Sequence, residues 1–392
     1  MSELGEGSSV SKPEDPEKYL KVKVLEVDFS DSFDVVNNKK KVVSPHWPCG
    51  KYNFNYSEKP AVMKFGQPSK ATVKVKVDSK GISGNGVLRG VFKGYVIEGE
   101  LPLSSGDKTI TVKFISPPDK LEYIKGSILW EAEGGGFMDT AGTTFAELFF
   151  VFDNPCKYDF FKKGVWAEAL RYAFEGSLLK GKDIEKEAVV EVTNLCFNVK
   201  YHQYDIFEGK THFGGLSGKF KLSQYIKPSS SLVNCHDQAY AVVVFSGALG
   251  VKTEGLFMQP FGFLNKTQLV GRGPCNNPFP KRKFDSEIKR LKSSVVGLKK
   301  MALSKPKLED FLLVARDDPD RSAFGNHSYC EHVNSIFDAC AGPNIGTGDR
   351  NAYVTNNIDS KTKLNSLYGG LPGIVADIKS HTSIGASVNK VE

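Results

Sequence analysis

Asn234-Cys235-His236-Asp237-Gln238-Ala239-Tyr240-Ala241-Val242-Val243-Val244-Phe245-Ser246-Gly247-Ala248-Leu249-Gly250 decides how this chain reads. The apolar run from Ala239 to Leu249 is too long for one strand. Asn234 is a good N-cap, Asp237 complements the unpaired amides and the dipole of a first turn, and Gly250 suits a C-terminal cap. The spacing therefore predicts a helix led by Cys235. Apolar on nearly every face, it must be buried on nearly every side. A cysteine in a helix's first turn sees N–H groups and the positive end of the dipole, and both favour the nucleophilic thiolate. The same N–H groups can hold a developing oxyanion. Buried cysteine is common in any fold, so a base has to decide between a reactive and an inert Cys235.

His236 points about 100° around the helix from Cys235 and cannot take its proton locally. His327 has the best context of the seven histidines, in Gly325-Asn326-His327-Ser328-Tyr329-Cys330-Glu331-His332-Val333-Asn334-Ser335-Ile336-Phe337-Asp338-Ala339-Cys340. This segment predicts two short strands around a turn near His332-Val333. A turn centred there sets His327 directly opposite Asp338, with Cβ atoms about 4.5–5.5 Å apart. That separation lets a carboxylate orient an imidazole. Strand alternation also puts His327 and Cys340 on one face, Cys330 and His332 on the other. The four do not converge as zinc ligands, and no metal is expected.

A helix-leading Cys followed by a His and an Asp on neighbouring strands resembles the transglutaminase-like superfamily of papain-like cysteine enzymes. Asn234-Cys235-His236-Asp237-Gln238-Ala239 resembles its nucleophile motif, Asn326-His327 its histidine strand, and Ile336-Phe337-Asp338-Ala339 its aspartate strand. The resemblance covers about residues 190 to 350. It departs in a short His-to-Asp spacing and in Ser328, where a Trp usually follows the histidine. It implies an α+β fold, a papain-like core with a buried helix on an antiparallel sheet. It also implies a catalytic trio of Cys235, His327 and Asp338 acting on a protein or peptide substrate by acyl transfer to an amine or to water. Tyr201 and Gln203, at the end of the preceding strand, are the oxyanion candidates. The alternatives are a cysteine protease or amidase and a catalytically idle scaffold with the same fold. No acidic cluster resembles a calcium site, and no cofactor is implied.

Tyr19 to Ala132 reads as strand after strand: Tyr19–Leu25, Ala71–Val77, Val91–Ile97 and Thr109–Phe114 alternate apolar residues with Lys or Thr. This predicts a β-sandwich-like domain over 19–132 without chemistry of its own. Glu133-Gly134-Gly135-Gly136 is read as the joint to a second domain, 137–392, with a helix around Tyr158–Leu179 and a strand through Val189–Tyr201. Residues 1–18 are Ser/Gly/Glu/Pro-rich without an apolar h-region, the pattern of a disordered arm rather than a secretory signal.

The net charge of +7 comes from one place: residues 281–307 carry ten Lys/Arg against Asp285 and Glu287. With Ile288, Leu291, Val295 and Leu298 at helical spacing, this insertion predicts a basic amphipathic helix packed on the domain or facing an acidic partner or membrane surface. One segment is too narrow a basic face for specific nucleic-acid binding. No run of 18 apolar residues exists, so no transmembrane segment is expected. Seven widely spaced cysteines do not make a disulfide framework and point to a reducing, cytoplasmic setting. The N-x-S/T triplets at Asn55, Asn265 and Asn326 are read as chance matches, the last because a glycan there would cover His327.

Overall fold

The computed structural model describes residues 18–42, 46–49, 59–205, 209–214, 218–227, 229–258, 262–264, 268–274, 322–324, 327–346, 348–357 and 390–392. The expected disordered arm and the basic insertion at 281–307 lie outside them, apart from Lys18. Alternation builds the first half. Its strands are β1 (Tyr19–Asp28), β2 (Val35–Asn37), β3 (Lys40–Val42), β4 (His46–Pro48), β5 (Ala61–Lys64), β6 (Lys70–Lys80), β7 (Asn85–Phe92), β8 (Tyr95–Pro102), β9 (Gly106–Phe114), β10 (Glu122–Gly134) and β11 (Phe137–Val151). All but β2 and β3 join one nine-stranded sheet in the order β4-β1-β6-β9-β8-β7-β10-β11-β5, antiparallel except for the β11–β5 pair.

Across β1 and β6, Val22 faces Val77 and Val24 faces Val75, all buried, while Lys21 and Lys23 point out. Burying each such side chain is worth about 1.5–3 kcal/mol. The sheet curls until β1 lies against β11, where the Val22 amide donates to Asp139 Oδ2 at 2.6 Å. The expected sandwich is thus one continuous sheet curled on itself. Two boundaries also move. Lys93 and Gly94, both at positive φ, make the tight turn between β7 and β8, so Val91–Ile97 is a hairpin and not a strand. Gly135 and Gly136 do the same between β10 and β11, where Gly134 pairs with Phe137. The expected joint at 133–136 is a hairpin tip, and the sheet runs on to Val151.

The chain is mixed α+β. After β11 come α1 (Ala167–Gly176), α2 (Glu185–Asn198), the single turn α3 (Leu222–Tyr225), α4 (Cys235–Ala248) and α5 (Arg350–Asn357). The helix expected over 158–179 is confined to α1, preceded by two 3-10 turns and by Gly164 at φ +124°. The strand expected through Val189–Tyr201 is helix α2 instead. Its buried Ala188, Val189, Val192, Thr193, Leu195 and Cys196 recur at three and four, and that packing outweighs the β-branched composition.

β11 joins the two halves by alternation. Leu148 and Phe150 fill the curled sheet, whereas Phe149 and Val151 belong to the core formed with α1, α2 and α4. Glu147, fully buried on β11, takes a two-pronged ion pair from Arg171 on α1 at 2.8 and 2.7 Å and a hydrogen bond from the Tyr123 hydroxyl at 2.9 Å. On its other side α4 meets a four-stranded antiparallel sheet: β12 (Glu254–Met258), β13 (His327–His332), β14 (Ser335–Asp338) and β15 (Asn344–Ile345). From Asp237 to Ala248 every residue of α4 is buried. Gly250 follows it at φ +81°, where a Cβ would collide with the Asp153 carbonyl oxygen. Among the described residues no helix is long and apolar enough to cross a membrane.

Candidate active site

The head of α4 is built by two side chains. Asn234 accepts from the Asp237 amide, and Asp237 accepts from the Asn234 amide, both at 3.1 Å, which closes a capping box. The Asp237 carboxylate takes three further amides, those of His212, Phe213 and Gly214, at 2.9, 2.8 and 2.6 Å. Burial pushes this carboxyl up, and the amides pull the other way. Asn234 Nδ2 donates to the Gly209 carbonyl and to Thr211 Oγ1, both at 3.1 Å. Residues 209–214 are thereby wrapped around the helix start, leaving Cys235 only 4% exposed.

β13 and β14 face α4 across their hairpin, but not in the expected register. Val333 and Asn334, at φ +44° and +57°, form the turn, so His332 pairs with Ser335 and Cys330 with Phe337. The turn sits one residue later than expected. Continued along the strands, this register puts Asp338 across from Tyr329, and His327 lies one diagonal step away on the same face. Diagonal neighbours are still within reach of long side chains. His327 Nε2 meets Asp338 Oδ2 at 2.7 Å, with both residues buried.

Asp338 is held from several sides. Its Oδ1 accepts the Cys340 and Ala341 amides at 2.8 and 3.0 Å, and its Oδ2 also accepts the Tyr353 hydroxyl at 2.8 Å. Burial alone disfavours its charge, but His327 and the two amides outweigh it, and the carboxyl stays below its ordinary range. Burial likewise opposes the charge of His327. The adjoining Asp338 and a hydrogen bond with Cys235 prevail, and the imidazole holds its proton well above the usual histidine range. His327 thus has Asp338 on Nε2 and the Cys235 sulfur as a further side-chain partner.

The remaining residues named from sequence fall elsewhere. His236 is engaged by Ser328, Nδ1 to Oγ at 2.9 Å, and packs on Phe257. Tyr201 directs its hydroxyl at that of Tyr172, 3.2 Å away, and Tyr172 stacks on Phe245. Phe245 is ten residues down α4, about 15 Å from Cys235 along the axis. Gln203 pairs with Leu232, three residues before Cys235, in the parallel strands that lead into α4.

Cys330 and His332 project to the α4 face of β13. There Cys330 Sγ donates to the Ala239 carbonyl and His332 Nδ1 lies 2.8 Å from the Lys252 carbonyl. Among the described residues no group of three His, Cys, Asp or Glu could hold a metal ion.

Tyr353 is the residue that sequence inspection missed. No motif announces it. The only local signal is the helical pattern of Arg350-Asn351-Ala352-Tyr353, and its role follows from where α5 docks: Arg350 grips Glu331 of β13 with two bonds, at 3.0 and 2.6 Å.

Chemically the arrangement sets a cysteine sulfur at a helix head beside an imidazole paired with a buried carboxylate, a grouping of the kind that can support attack by sulfur. Compared with known proteins, the chain matches no family model and no curated protein sequence.

Proposed function

We propose that the chain is a transglutaminase-like cysteine enzyme that performs acyl transfer on a protein or peptide substrate. The observation that supports it best is His327 between Cys235 and Asp338. Cys235 Sγ, its proton already resting on His327, attacks the carbonyl carbon of a carboxamide or peptide bond. His327 returns that proton to the nitrogen as the C–N bond breaks, releasing ammonia or an amine and leaving a thioester. A second amine or a water then attacks the thioester and gives its proton to His327, and the Cys235 sulfur is released beside the protonated imidazole. Asp338 orients the imidazole and stabilises its charged form.

The 4% exposure of Cys235 favours one alternative, a catalytically idle trio kept as part of the core. Iodoacetamide at pH 6 separates the two. Selective labelling of Cys235, abolished by His327→Ala, is expected of the enzyme, and labelling no faster than the other six cysteines would refute it. Supplying a casein-like substrate with a labelled primary amine then distinguishes transfer, which incorporates label, from hydrolysis, which yields fragments or free acid.

A further inference from the structure

We infer that Tyr353 is a positioning residue of the His327–Asp338 pair, its hydroxyl sharing with the imidazole the one carboxylate oxygen through which Asp338 acts. The inference rests on the acyl-transfer reading above for its catalytic consequence, but not for its geometry. Asp338 Oδ2 receives His327 Nε2 at 2.7 Å and the Tyr353 hydroxyl at 2.8 Å, while Oδ1 is committed to the Cys340 and Ala341 amides. Two points on each oxygen fix the plane of the carboxylate. The diagonal step on the hairpin makes that necessary. A carboxylate directly opposite the histidine would find it without help, whereas one that reaches across a rung has other rotamers open to it.

Tyr353 is itself held. It is buried, its ring lies 4.7 Å from that of Tyr329, which stands 5.9 Å from His327, and Arg350 one turn earlier clamps α5 to Glu331. The hydroxyl also sets the strength of the pair. A donor on Oδ2 draws negative charge away from the oxygen that faces the imidazolium, so it moderates how tightly His327 keeps its proton. The other groups that act on the pair are the Cys235 sulfur from α4, the Cys330 thiol and the Tyr329 hydroxyl, while the Cys340 thiol acts on Tyr353. Among these, Tyr353 is the side chain that hydrogen-bonds Asp338 on the oxygen used by His327.

The test is Tyr353→Phe in the full chain, with the His327 ring followed by NMR between pH 5 and 10.5 and the iodoacetamide rate at Cys235 measured over the same range. The midpoint of His327 is expected to rise by about half a unit or more, a roughly threefold tighter hold on the proton. The pH profile of alkylation should move the other way, to lower pH, because a more firmly charged imidazole stabilises the reactive sulfur. Unchanged midpoints in a variant that merely melts earlier would reduce Tyr353 to packing and overturn the inference. Should Tyr353→Phe fold poorly, Arg350→Gln, which frees α5 from Glu331, is expected to shift the midpoint through the same hydroxyl, and no shift there overturns the inference equally. If wild-type Cys235 labels no faster than its fellows, acyl transfer fails while the His327 midpoint still judges Tyr353.

Discussion

His327 Nε2 stands 2.7 Å from Asp338 Oδ2, and the two residues meet diagonally across the β13–β14 hairpin. A direct rung would have tolerated small shifts of either strand. The diagonal depends on the loop amides of Cys340 and Ala341 and on Tyr353 to aim the carboxylate.

Removing Asp338 should therefore cost more than one contact. Asp338→Ala leaves three donors and a buried imidazole without their acceptor, and losing one partner of a buried pair destabilises by about 3–5 kcal/mol. Asp338→Asn keeps the shape and should cost less, about 1–3 kcal/mol, while still lowering the proton affinity of His327. Denaturant midpoints measure the first effect. The pH profile of Cys235 alkylation measures the second, which should shift to higher pH in Asp338→Asn, because a less firmly charged imidazole stabilises the reactive sulfur less.

The pair also sets a pH window for stability. His327 holds its proton above the ordinary value near 6.5, so its contribution is complete below that pH and fades as pH rises through the folded value. Asp338 stays ionised below the ordinary value near 3.9, so its share is complete above that pH and fades as pH falls further. His202 works in the opposite sense. It is fully buried beside Tyr225, with their ring centroids 4.3 Å apart. Burial pulls it down to about 4, against a weaker pull from the Tyr225 backbone. Its neutral form favours the fold above about pH 6.5, and that share, up to about 3 kcal/mol, is lost as pH falls toward 4. Stability measured from pH 7 to 4 should fall in the wild type and stay flatter in His202→Phe. Parallel curves would show that His202 is not the group responsible.

How far the sequence reveals such a site depends on which forces are local. The α4 head was legible because Asn234, Asp237 and Gly250 act on their own helix, and the face shared by His327 and Asp338 was legible because strand alternation is strict. The register was not. Val333 occupies a left-handed turn position that its β-branched side chain disfavours, so residue type pointed one position early. α2 was misread because Val189, Val190 and Val192 suit strands until tertiary packing decides. Tyr353 and the Glu147–Arg171 pair were invisible because each joins elements far apart in sequence.

The Glu147–Arg171 pair is expected to hold the curled sheet to α1 at a cost that only a double substitution reveals. Arg171→Met strands the fully buried Glu147 carboxylate with the Tyr123 hydroxyl as its main remaining donor, and should destabilise by about 3–5 kcal/mol. Glu147→Leu combined with Arg171→Met removes both charges and should recover most of that loss. Urea unfolding of the two singles and the double gives the coupling directly. Additive losses would mean that the two side chains stabilise the junction separately.

The turn supplies the last expectation, and it is a gain. Val333 is 78% exposed and sits at φ +44°, with Asn334 at φ +57° beside it. Both central positions of such a two-residue turn favour Asn, Asp or Gly, and a β-branched residue there is strained. Val333→Asn gives up little burial and removes the strain, so stability should rise by about 1 kcal/mol. The register of β13 and β14 should not move, because the turn keeps its length and Cys330 still faces Phe337. His327 and Asp338 should therefore stay paired, and Cys235 should alkylate at its wild-type rate in the more stable variant. A rate that changed along with the melting temperature would show that the diagonal pair depends on strain in the turn as well as on the amides and the tyrosine that hold Asp338.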